Sequence, residues 1–303
     1  MINLSTGAFY ERASRQIGSL RERAGELQNQ IGSGERLSRS SDDPVAAARL
    51  RTLARRDRLS EVDQRNSDRA LGDLQLTDRA LGSLADLTVR AKELAMQAAN
   101  QSLGAEQRQL LRAEIDGLRE SLLLVANSRN GAGTALFGGE APGLAYQDDG
   151  AGITYVGTAS AETVGIGDGQ SVTRALPGPD VFAFEHAGAP SDLFAVLGTL
   201  SAALQDPLAD HAAAGQLAMG GVDAGLEKIT TAQTIIGSRM GWIEIIEERR
   251  LMTSELVADE RAEIGGADLA TTMTRLQEVM TVLEASQASF LRLASLSLFD
   301  KLR

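Results

Sequence analysis

Hydrophobic residues recur along both flanks of this chain with the alternating three- and four-residue spacing of a helix face. Tyr10, Ala13, Ile17, Leu20, Ala24, Leu27 and Ile31 form an unbroken heptad seam near the start. Toward the end, Leu269, Met273, Leu276, Met280, Leu283, Gln287, Phe290 and Ala294 alternate in the same way, with Gln287 the one polar member. Val222, Leu226, Ile229, Gln233, Ile236, Met240 and Ile243 make a third seam, and Leu111, Ile115, Leu118, Leu122 and Val125 a fourth. From Pro44 to Gln101, Leu74, Leu81, Leu84, Ala91, Leu94 and Ala98 keep approximate helical spacing. That seam drifts, so it predicts a helix without a strict coiled coil.

Proline and glycine place the breaks. No proline falls between Pro44 and Pro142 or after Pro207, so both stretches can run as long helices. Four of the six prolines and eleven of the 31 glycines crowd between Gly138 and Pro190. There, short apolar runs such as Leu144 to Tyr146 and Ile153 to Val156 flank turn residues such as Asp148-Asp149-Gly150, which predicts small antiparallel strands. Gly32 and Gly34 suit a helix end. Asp42, Asp43 and Pro44 suit the next start, with Asp43 as N-cap and Pro44 in the first turn. One seam alone reads as an ordinary core face, but four seams around one insert predict more. The expected fold is mainly α with a β-rich insert: a long antiparallel helical rod, coiled-coil-like, whose flanks pair and which carries a small β domain at mid-chain. The expected divisions are an N-terminal helix over 1–34 pairing with a C-terminal helix over 268–303, a helical rod over 35–137 and 208–267, and a β-rich outer domain over 138–207. The large members of the terminal seams, Tyr10, Ile17, Leu20, Leu27 and Ile31 with Leu276, Met280, Leu283 and Phe290, are the candidate assembly seam. Burying one such row does not offset the conformational cost of ordering its helix. The ends are therefore expected to order on assembly.

Composition removes most chemistry. The 303 residues carry 30 Lys and Arg against 41 Asp and Glu, a net charge of −11, which disfavours nucleic acid as a partner. There is no cysteine, so thiolate metal sites, disulfides and thiol catalysis are excluded. The two histidines, His186 and His211, stand apart without a motif and are expected to be exposed. Acidic pairs at Asp42-Asp43, Asp148-Asp149 and Glu247-Glu248 read as solvated turns or helix faces. Gly165-Ile166-Gly167-Asp168-Gly169 lacks the Gly-Lys-Ser/Thr ending of a phosphate loop and reads as a β-turn. No cofactor, metal site or enzymatic activity is expected. No apolar run is long enough to cross a bilayer, so no membrane insertion is expected. No secretory signal is visible, which by itself points to the cytoplasm.

The segment from Ile31 through Gly32-Ser33-Gly34-Glu35-Arg36-Leu37 to Ser41-Asp42-Asp43-Pro44-Val45-Ala46-Ala47-Ala48 resembles the N-terminal motif of the bacterial flagellins and their junction proteins. The closing run from Asp268 to Ser297-Leu298-Phe299-Asp300-Lys301-Leu302 resembles their C-terminal one, with Lys301 where an aromatic is usual. Pro44 directly after Asp42-Asp43, the phrases Leu136-Phe137-Gly138-Gly139 and Pro177-Gly178-Pro179-Asp180-Val181-Phe182, and the ending Leu298-Phe299-Asp300 favour the hook–filament junction branch over filament flagellin. The resemblance implies a structural adaptor of the flagellum, exported by the type III apparatus without a cleaved signal peptide and placed outside the cell. It implies as partners further copies of the chain in a ring, flagellin, the other hook–filament junction protein and an export chaperone guarding the C-terminal seam. The nearest alternative is a filament-forming flagellin. A remote one is a surface glycan-binding module built on Tyr146, Tyr155, Phe182 and Phe184. Arg90, Leu94 and Glu114 match part of a flagellin patch seen by a vertebrate innate receptor, although ordinary helix packing explains them equally.

Overall fold

The computed structural model describes the backbone of residues 3–150 and 152–300, and side chains at 8, 10–150 and 152–292. The chain divides into two compact units, one formed by 1–58 with 252–303 and the other by 59–251.

In the first unit, α1 (Asn3–Ser33) packs along α7 (Leu269–Asp300). The two run antiparallel: Tyr10 meets Phe290 edge-on with ring centroids 5.5 Å apart, while Ala267 N donates to Gly34 O at the other end. The unit also holds the first turns of α2 (Pro44–Ala98) and the last turns of α6 (His211–Gly265). Leu53 and Val257 are buried there.

The second unit has the larger core. Along α2, Leu74, Leu81, Leu84, Ala91, Leu94 and Ala98 are all fully buried. They meet Leu111, Ile115, Leu118 and Leu122 of α3 (Ala105–Ala126) and Val222, Ile229, Ile236 and Ile243 of α6 in one cluster. Periodicity and burial coincide in these three helices, including the drifting seam.

Three separate two-stranded hairpins lie between α3 and α6: β1 (Tyr146–Asp148) with β2 (Ile153–Tyr155), β3 (Thr163–Gly167) with β4 (Gln170–Thr173), and β5 (Ala183–His186) with β6 (Ala189–Asp192). An isolated hairpin is marginal in water, so each needs a support. Phe137, Tyr146, Phe182 and Phe194 provide a shared aromatic cluster with ring centroids 5.0 to 6.0 Å apart. Asn127, at the end of α3, pins β1: its Oδ1 accepts from Ala145 N and Tyr146 N, and its Nδ2 donates to Tyr146 O, each at 2.9 Å. Asp168 and Gly169 turn the β3–β4 hairpin at φ 51° and 73°, the left-handed pair that a two-residue hairpin loop requires. The stretch expected to be β-rich also holds two helices, α4 (Gly178–Phe182) and α5 (Leu193–Gln205). Phe194, Leu197 and Leu200 of α5 are buried in the same core.

Aspartates start four helices. Asp43, Asp192, Asp210 and Asp268 each accept a backbone N–H three residues on, at 2.8 to 3.2 Å, ahead of α2, α5, α6 and α7.

Candidate assembly site

The first unit is built around a corner where α1 ends, α2 begins, α6 ends and α7 begins. Gly34 stands at φ 72°, a conformation that glycine adopts without strain, and turns the chain out of α1. Glu35 then bridges to Gly266, and Arg36 N donates to Gly265 O at 2.7 Å. The Arg36 guanidinium donates to Ile264 O at 2.9 Å, at the carbonyl end of α6, where a cation is favoured. It also reaches Asp43 Oδ2 at 3.4 Å, at the amide end of α2. One arginine thus ties a helix stop to a helix start. Asp43 Oδ1 accepts from Ala46 N at 3.0 Å, and Pro44 occupies the first helical position. Asp42 points the other way and closes the loop, accepting from Arg39 N at 2.8 Å and Ser38 Oγ at 3.2 Å. The Ala46 amide, helped by Arg36, holds the Asp43 carboxyl below the usual carboxylate range. The Thr271 hydroxyl does the same for Asp268, and the Arg49 side chain for Glu260. Two ion pairs tie α2 to α6 beside the corner: Arg49 with Glu260, its second hydrogen bond at 2.9 Å, and Arg261 with Asp57 at 2.7 Å.

Beyond the corner, Tyr10, Ile17, Leu20, Leu27 and Ile31 are half-buried along one side of α1, with Ala24 buried among them. On α7 the covered row is Thr272, Leu276, Val279, Leu283, Ser286 and Phe290. It shares Leu276, Leu283 and Phe290 with the heptad row read from the sequence, and Gln287 of that row is half-buried beside it. Met280 lies off it and is 37% exposed, as are Leu269 and Met273 at 48% and 58%. The side chain of Ala294, the side chains of Leu298-Phe299-Asp300, and Lys301 and Leu302 altogether lie outside the described residues.

The profile of the bacterial flagellin N-terminal helical region matches residues 4–141. Flagellar hook-associated protein 3 of Escherichia coli (strain K12) is 25% identical over 99% of this chain and 99% of its own. The chain is thus similar to hook-associated protein 3 over its whole length and to the flagellins in its N-terminal part. Among the flagellins, flagellin B of Vibrio anguillarum is 23% identical over 58% of this chain and 46% of its own. The fold agrees. A putative flagellar hook-associated protein of Vibrio parahaemolyticus superposes with a TM-score of 0.69 at 18% identity, over 74% of this chain and all of that one.

Elsewhere in the chain, other candidate chemistry is taken up by structure. Tyr146, Phe182 and Phe184 are buried and Tyr155 is half-buried with its hydroxyl donating to Thr158 O at 2.7 Å. The aromatic residues on which a glycan face would rest are therefore core residues. The two histidines are half-buried, not exposed as expected. His186 packs against Gly220 and Gly221, and His211 Nε2 lies 3.3 Å from Asn100 O, because both flank the start of α6 or its contacts. Of the receptor-like patch, Leu94 is fully buried, while Arg90 pairs with Glu114 and, at 2.6 Å, with Glu93. Among the described residues no His, Cys, Asp and Glu group is placed to hold a metal ion, and no helix is long and apolar enough to cross a membrane. Sequence reasoning missed Arg36, Asp268 and the α2–α6 ion pairs. Asp268 with Thr271 was legible as a helix start; the ion pairs join residues over 200 positions apart and leave no local signal.

Proposed function

We infer that this chain is the structural adaptor of the bacterial flagellum that joins hook to filament. The observation carrying this reading is coverage: the hook-associated protein 3 relative aligns from end to end, whereas the flagellin aligns over about half of either chain. A filament flagellin would be expected to match flagellins along its whole length. The chain acts as a building element, and we assign it no reaction and no cofactor. Its working parts in this reading are the paired terminal helices. Tyr10, Ile17, Leu20, Leu27 and Ile31 on α1 and Leu276, Leu283 and Phe290 on α7 hold the pair together, while Met280, with Leu269 and Met273, faces outward to neighbours. Asp42, Asp43 and Pro44 set the direction in which α2 leaves the corner. The chain would be exported by the type III apparatus without a cleaved signal. It would form a ring with its own copies, and meet flagellin on one side and the other junction protein on the opposite side. An export chaperone would cover the apolar C-terminal row before secretion.

Deleting the gene tests this. The expected result is completed hooks without filaments and flagellin released into the medium. Filaments of normal length and number in the deletion strain would overturn the adaptor reading and favour a minor flagellin.

A further inference from the structure

Where the first turns of α2 meet the last turns of α6, the helix pair has two unlike flanks. Arg49 and Glu260 pair along one of them. Arg51 sits two residues on, about 200° around the helix, and lines a groove on the other flank with Leu50, Ala54, Ala258, Arg261 and Ala262. Arg55 and Arg58 continue the Arg51 row at four- and three-residue spacing. All three are exposed, and none forms an ion pair with a described residue. Arg58 uses only its Nε, donating to Ala54 O. On α6, Leu256 and Glu263 stand at i−4 and i+3 from Glu260 and so share its flank. Met252 and Asp259 complete that row at heptad spacing. Met252 and Leu256 are 56% and 69% exposed, and Asp259 and Glu263 are exposed carboxylates without an ion pair to a described residue. Arg51 to Arg58 and Leu256 to Glu263 each cover seven helical steps, about 10 Å, and Met252 extends the second row by one further turn. They are opposite in charge and lie on opposite flanks of one helix pair.

We propose that neighbouring copies of this chain dock side by side here, the Arg51, Arg55 and Arg58 row of one copy lying on the Met252, Leu256, Asp259 and Glu263 row of the next. Arginine suits such a contact, because its long apolar stem can cover Met252 and Leu256 while its head meets the carboxylates. A contact between two different flanks is head-to-tail, and repeating it generates a ring or a helix rather than a closed dimer. The proposal rests on the assembly reading above and adds the lateral surface that reading leaves open.

The chain has no cysteine, so an introduced pair can report the contact without background. Arg55 is the middle residue of its row and Asp259 an inner residue of the other, and being on opposite flanks they cannot bridge within one chain. In flagella from a strain whose only copy carries Arg55→Cys and Asp259→Cys, mild oxidation should give a ladder of cross-linked multimers of this chain. Either single variant should give none. Charge exchange covers the case in which the cysteine pair does not incorporate. Arg51→Glu with Arg55→Glu and Arg58→Glu should abolish motility, as should Asp259→Arg with Glu263→Arg. All five together should restore it, because the attraction is rebuilt with its signs exchanged. Motility with either half alone, or none with the five combined, would overturn this surface. Neither result touches the adaptor reading, which the deletion phenotype judges separately.

Discussion

Asp43 carries its charge where the start of α2 needs it: it accepts from Ala46 N, meets the Arg36 guanidinium and faces the amide end of the helix. Its carboxyl, with those of Glu260 and Asp268, is held below its ordinary value. A carboxyl with a depressed folded-state pKa contributes stability that is fully present above its unfolded value and is lost as pH falls through the folded one. The corner should therefore hold unchanged at neutral pH and loosen in acid, below about pH 4. Asp192 is shifted the other way: burial raises its pKa, so its neutral form is favoured on folding and acid does not weaken the second unit through it. Hydrogen exchange, corrected for the intrinsic rate at each pH, should show Ala46 and Thr271 losing protection on acidification before the amides of α5 do. Asp43→Asn keeps a capping oxygen that does not titrate, and should flatten the response at Ala46 alone. Constant protection at Ala46 down to pH 3 in the unsubstituted chain would contradict this account.

At the scale of elements, the decisive contact is α1 against α7. Leu283 is the best-covered large residue of α7 among the described ones, only 7% exposed. Leu283→Asp places a charge in that row, at a cost on the order of a few kcal/mol. Incorporation into the flagellum should be lost while the second unit stays folded, read as absent motility with an unchanged near-ultraviolet signal from Tyr146 and its neighbours. Unaltered motility would remove the row from assembly. How far elements were legible follows from the same helices. On α1 only one stripe has heptad spacing, and it is the covered one. On α7 two stripes share Leu276, Leu283 and Phe290; over 272–290 one fills its other places with Met273, Met280 and Gln287, the other with Thr272, Val279 and Ser286. Hydrophobicity alone selects the first, but packing against α1 covers the second and leaves the methionines outside. The insert shows the opposite limit. The Asp168-Gly169 turn announces its hairpin, whereas α5 went unread although Leu193, Leu197, Leu200 and Leu204 keep helical spacing, because the proline- and glycine-rich stretch before it set the reading of the whole insert. The corner was legible at Asp43 and Pro44, since capping is local, and illegible at Arg36, whose partners at 264 and 265 are brought to it only by the fold.

For the whole molecule, what matters is how unevenly the apolar interior is shared. Among the described residues, the twelve largest fully buried side chains, Phe137, Phe182, Phe194, Leu74 and Ile115 among them, all belong to the second unit. Among the described residues of the first, the best-covered large apolar side chains are Leu53, Val257 and Leu283, at 2%, 4% and 7% exposure. The rows on α1 and α7 are otherwise half open. Since burial has to offset the entropy of ordering each residue, local opening should be far easier for the terminal helices than for the core of 59–251. Copies docking along Met273 and Met280, or along the arginine and carboxylate rows, would supply the cover that one chain lacks, coupling the order of the ends to assembly. Brief digestion of the isolated full-length chain by a protease of broad specificity should accordingly trim both terminal helices and stop at a resistant fragment containing 59–251. Adding preassembled flagellar ends to which the chain binds should slow the trimming without changing the resistant fragment. If α1 and α7 in the dilute monomer resisted cleavage as long as α3 does, their order would come from the chain itself, and assembly would be the docking of finished surfaces rather than their completion.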